Sequence, residues 1–131
     1  MIEIEARPCP AGHPRGMEIL AAGHAGMAPV GQDIVCAGVS ALLFGFLTYV
    51  ESLSPVDELS SADKGVQHVE SFEWDGGLYL RTCGLGDADL RGWAVTAAGL
   101  RLIAEAYPQM VRLTDRVTTP VSTSGGARVS L

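Results

Sequence analysis

The chain has 131 residues, 47% of them hydrophobic, with a formal net charge of −6 and a pI near 4.9. That length suits one domain with a core of its own, and the acidic balance argues against direct nucleic-acid binding while suiting basic partners. Three irregularly spaced cysteines, Cys9, Cys36 and Cys83, point to reduced thiols rather than a disulfide frame. Met1-Ile2-Glu3-Ile4-Glu5 lacks the basic and apolar regions of a secretory signal, so a cytoplasmic protein is expected.

Met1 to Ala6 alternates apolar and charged residues and predicts a strand that ends in the turn-rich stretch Arg7 to Gly16. Met17 to Ala22 is its continuation or its hairpin partner, which puts His24 just past a strand end on the glycine-flanked turn Gly23-His24-Ala25-Gly26. After a Gly/Pro-containing loop, Asp33 is placed to cap a helix in which Val35, Val39, Leu42, Leu43, Phe46, Leu47 and Val50 form an apolar stripe. The run Ile34 to Val50 has no charged side chain, but it is short for a membrane span and is diluted by Gly38, Ser40, Gly45 and Thr48. A helix buried in a core, with no membrane, is expected.

Glu51 to Lys64 is a polar connector broken by Pro55. Residues 65–74 and 78–83 flank Asp75-Gly76-Gly77 and predict an antiparallel hairpin, with His68 and Cys83 as sheet residues. Asp87 or Asp89 caps a second helix over about 90–107, with Trp93, Leu100, Ile103, Ala104 and Tyr107 toward the core, and Pro108 stops it. Residues 110–118 read as a final strand. The domain is expected to cover 1–117, and 118–131, rich in Ser, Thr and Gly, to be a disordered tail. The expected fold is α/β: two helices packed on a mainly antiparallel or mixed sheet in a single layered domain.

Chemistry concentrates at the start of the first helix. With Asp33 as N-cap, its carboxylate accepts the N–H of Val35 or Cys36, and the Cys36 sulfur sits at the positive end of the helix dipole. Only the thiolate is a strong nucleophile; the helix terminus and a nearby imidazolium favour it, while the Asp33 charge opposes it. Unpaired amides of the same turn are expected to receive an oxyanion. Several roles stay open. Cys36 is a nucleophile or a small buried filler; His24 is a base or a turn histidine bonded to backbone. Asp33 caps the helix or orients His24, and Ser40, one turn after Cys36, bonds the Cys36 carbonyl or reaches the sulfur. Cys9 and His13 are four apart, but the intervening proline and the lack of a second ligand pair argue against zinc; no metal and no cofactor are expected.

The run GHAGMAPVGQDIVCAGVSAL resembles the Prp family, cysteine proteases that process a ribosomal protein, in its Gly-His-Ala turn, its Gly-x-Asp-Ile-Val-Cys-Ala segment and its Val-Ser-Ala-Leu helix. Ala104 to Leu113 is similar to the family's closing helix-to-strand passage. The resemblance implies that Cys36 is the nucleophile and His24 the general base, with Gly23, Asp33 and Ser40 in support. It implies a cytosolic endopeptidase, a homodimer, that removes the N-terminal extension of large-subunit ribosomal protein number twenty-seven after an apolar, aromatic-containing motif. From its two glycines and its position between His24 and the capped helix, and not from the resemblance, the segment 26–32 is expected to form a loop that moves over the site when substrate binds. The alternatives are a non-catalytic ribosome-associated binding protein of the same fold, and thioester or amidase acyl transfer by the same Cys/His pair.

Overall fold

The computed structural model describes residues 1–10, 16–26, 33–53, 68–83 and 87–118, without the side chains of His68 and Cys83. Its elements are β1 (Ile2–Pro8), β2 (Gly16–Ala22), α1 (Ile34–Ser52), β3 (His68–Trp74), β4 (Gly77–Cys83), α2 (Ala88–Ala106) and β5 (Val111–Asp115). The strands form one sheet in the order β3-β4-β2-β1-β5. β2 is the antiparallel partner of β1 and also of β4, and β3 pairs antiparallel with β4. β5 lies parallel to β1, so the sheet is mixed, as expected, and its one parallel pair needs the long crossover that α2 completes.

Alternation decides the two faces of the sheet. Ile4 pairs with Ala21 and Ala21 with Leu78; Ala6 pairs with Ile19 and Ile19 with Leu80. All of these are buried and form the face covered by the helices. The opposite face carries a row of alternating charge, Arg7, Glu18, Arg81 and Glu70, whose outer pairs close at 2.8 Å and 2.7 Å.

Both helices bury the expected stripes. In α1 these are Val35, Val39, Leu43, Phe46, Leu47 and Val50, with Leu42 partly buried. In α2, Trp93 and Leu100 are fully buried, whereas Ile103, Ala104 and Tyr107 pack partly against the core. The helices meet at Phe46 and Trp93, whose rings stand edge to face at 5.6 Å. α1 is long and apolar enough to cross a membrane by length and composition, and its stripe is used instead against the sheet and α2.

Some boundaries differ from expectation for local reasons. Of the two aspartates offered as caps for α2, Asp87 holds the N-cap position without a side-chain cap bond. Asp89 lies inside the helix, fully buried, and accepts a hydrogen bond from Thr82 Oγ1 at 2.9 Å. The last strand stops at Asp115 rather than running to Thr118. Asp115 Oδ1 accepts the N–H groups of Val117 and Thr118 and draws the chain into a bend. Residues 119–131, expected as a disordered tail, and most of the connector 51–64 lie outside the described residues.

Candidate active site

Asp33 has the extended backbone of an N-cap, φ −83° and ψ 109°, and a buried side chain. Its Oδ1 accepts the N–H of Val35 at 2.9 Å and that of Cys36 at 3.0 Å, and its carbonyl accepts the N–H of Ala37 at 3.0 Å. Of the two roles open to this residue, the structure realises the cap. This narrows one expectation: the amides of both Val35 and Cys36 are held by a carboxylate oxygen, so neither is among the unpaired amides of the turn that were expected to receive an oxyanion. The donor that does face the sulfur comes from elsewhere, the N–H of Ala25, 3.3 Å from Cys36 Sγ.

His24 is exposed, and its turn is tied down by residues distant in sequence. The main-chain nitrogen of Met1 donates to the His24 carbonyl at 2.6 Å, and the Gly23 N–H donates to the Gly76 carbonyl at 2.8 Å. Gly23 has φ +108°, and a Cβ there would collide with the Met1 carbonyl, so glycine is required twice over. The next residue after the histidine, Ala25, is the one whose amide meets the sulfur. One short turn therefore carries an imidazole and a backbone donor to the mouth of α1.

His24 and Cys36 line one cavity of about 280 Å³, together with Gly23 and Ser40. Ile2, Ala21 and Leu78 of the sheet and Val39, Leu43 and Phe44 of α1 make its walls apolar, and Glu73 and Trp74 of β3 stand at its side. Four of the five expected site residues thus meet at one cavity, with the fifth, Asp33, capping the helix that presents the sulfur. A thiol and an imidazole that line one cavity, with an amide aimed at the sulfur, are groups suited to acyl transfer.

The family model for cysteine protease Prp matches residues 1–112. The chain belongs to the Prp family of cysteine proteases. The ribosomal processing cysteine protease Prp of Mycoplasma pneumoniae is 32% identical over 99 residues, which cover 76% of this chain and 87% of that protein. Among solved structures, an essential ribosomal processing protease Prp from S. aureus with a covalently linked product peptide superposes with a TM-score of 0.67 at 25% identity. It covers 88% of this chain and 100% of its own. The same S. aureus protease with a substrate peptide gives a TM-score of 0.63 at 24% identity over the same shares, a likeness of fold.

Sequence reasoning missed the cavity's contributions from Ile2, Phe44, Glu73, Trp74 and Gly76, and the amide of Ala25. The Asp75-Gly76-Gly77 signal was legible as a turn, but nothing local says that the turn lies beside His24. Outside the site, the Cys9 thiol donates to the Thr82 carbonyl at 3.4 Å. His13, its sequence neighbour in the zinc question, and residues 27–32 of the expected moving loop lie outside the described residues.

Proposed function

We propose that this protease is a ribosomal-processing endopeptidase in which Cys36 is the nucleophile and His24 the general base. The observation that carries the reading is that these two side chains line one apolar-walled cavity, with the sulfur in the first turn of α1. His24 takes the thiol proton, the sulfur attacks the peptide carbonyl carbon, and a tetrahedral intermediate forms. Its collapse breaks the C–N bond as the imidazolium returns the proton to the leaving amine. Water, with His24 again as base, then hydrolyses the thioester and frees the thiol. The positive end of α1 and the Ala25 N–H favour negative charge at the reacting centre.

The substrate in this reading is the N-terminal extension of large-subunit ribosomal protein number twenty-seven, cut after an apolar, aromatic-containing motif. Walls of Val39, Leu43, Phe44 and Leu78 suit an apolar side chain, and a net charge of −6 suits a basic ribosomal protein. The enzyme acts in the cytoplasm as a homodimer, needs no metal or cofactor, and meets its substrate as a peptide. Incubating the protein with a peptide spanning that extension, followed by mass spectrometry, tests the reading. Wild type is expected to release the extension, and Cys36→Ala and Cys36→Ser to lose at least about 10⁴-fold in rate. Cleavage that persists in both variants would remove Cys36 from the mechanism, and light scattering checks the dimer mass.

A further inference from the structure

We infer that Gly76, at the turn between β3 and β4, is a positioning residue for the His24 imidazole, its missing side chain being the space against which the ring rests. A Cβ at Gly76 would lie 2.8 Å from His24 Nε2, 3.4 Å from Cε1 and 3.5 Å from Cδ2, and these ring atoms are its three nearest neighbours. The ring therefore sits where any side chain at 76 would begin. The same residue also fixes the main chain beneath the ring, because the Gly76 carbonyl accepts the Gly23 N–H at 2.8 Å. Its φ of +80° turns the chain so that both contacts are made at once.

The consequence is an imidazole limited on one side by backbone 52 positions away. An exposed histidine on a loop ordinarily samples several rotamers; one that abuts a hairpin turn has fewer, and the sulfur shares its cavity. Gly76 touches no reacting atom and acts through His24, so the inference rests on His24 being the base. Any substituent at 76 must move the ring or the turn.

The test compares wild type, Gly76→Ala, His24→Ala and the double variant. It measures kcat and KM for the extension peptide, and the pH profile of Cys36 alkylation by iodoacetamide followed by peptide mass spectrometry. Gly76→Ala is expected to lower kcat about 100-fold, with KM within about twofold, and to give an alkylation profile like that of His24→Ala. In the His24→Ala background, Gly76→Ala is expected to change neither the alkylation profile nor the residual rate. An equal loss in both backgrounds would mean that the glycine serves only the turn, and would overturn the inference. If His24→Ala itself left cleavage and alkylation unchanged, the base assignment would fail, and the inference with it, by a different signature. Should Gly76→Ala not fold, wild-type NMR decides: nuclear Overhauser contacts between the His24 ring protons and the Gly76 α-protons support the inference, and their absence overturns it.

Discussion

The two halves of the proposed active site are held in opposite ways. The sulfur is placed by its immediate neighbours: Asp33, two and three residues upstream of the amides it caps, starts α1 and fixes Cys36 in the first turn. The imidazole is placed by distant chain: Met1 bonds the His24 carbonyl, and Gly76 bonds Gly23 and abuts the ring. Local capping survives wherever the helix forms, whereas the His24 turn exists only once β1, β2 and the β3–β4 hairpin are assembled. Such a design makes catalysis contingent on the complete sheet, while a seated thiol is not.

That contrast is sharpest at Gly23, where the largest effect is expected. Gly23→Ala puts a Cβ into the Met1 carbonyl at a φ of +108°, a conformation that costs an L-residue about 3 kcal/mol before the collision is counted. The His24 turn must shift, so cleavage should fall to near background even in the fraction that remains folded. Chemical denaturation together with the cleavage assay measures both. If activity fell only in proportion to the folded fraction, the claim that this turn is tertiary in origin would be wrong.

Breaking the other half should do less. Asp33→Ala removes the cap and is expected to cost about 1 kcal/mol of stability and to fray the turn that holds Cys36. Asp33→Asn keeps a capping oxygen, so its stability should stay within about 0.5 kcal/mol of wild type. It also removes a negative charge beside the sulfur, so alkylation of Cys36 at neutral pH should be at least as fast as in wild type. Slower alkylation in the Asn variant, with stability intact, would show that the carboxylate does more than cap.

The same asymmetry explains what could be read in advance. The cap, the first turn, the apolar stripes and the hairpin all rest on residues within a few positions of one another, and they appear in the fold as expected. Asp89 has the composition of a cap, yet Thr82 of the neighbouring strand claims it, a contact invisible to local pattern. The oxyanion expectation was narrowed in a related way, because the cap takes the amides of both Val35 and Cys36 where local pattern offered it one or the other. Gly76 carried a turn signal, but its place beside His24 follows from β2 pairing with β4, which no local window contains. Family resemblance singled out His24 and Cys36 together, and folding brings both to one cavity, a placement that no local window shows.

Asp115 gives the gentlest way to load one half without touching the other. It sits on the helix-covered face opposite Ala6 and accepts from Trp93 Nε1 at 3.2 Å and from the amides of Val117 and Thr118. Burial pushes this carboxyl up, but the hydrogen bonds from Thr118, Trp93 and Val117 together outweigh it and hold it below the ordinary value of 3.8. A carboxyl whose folded value is depressed adds stability above the unfolded value, and that stability is lost as pH falls through the folded value. Its loss should therefore appear only in acid, below about pH 4. β5 is the edge strand beside β1, and the Ile2 N–H bonds the Met110 carbonyl at 2.7 Å, so the load falls on the strand entered directly from Met1, whose nitrogen holds the His24 carbonyl. Asp115→Asn should flatten the acid limb of the stability curve and the acid-induced quickening of amide exchange at Ile2, after correction for intrinsic exchange, while the Val35 and Cys36 amides of the locally capped turn change little. An equal response at all three amides would mean that acid opens the domain as one unit, and that the division between a locally held sulfur and a remotely held imidazole does not extend to stability.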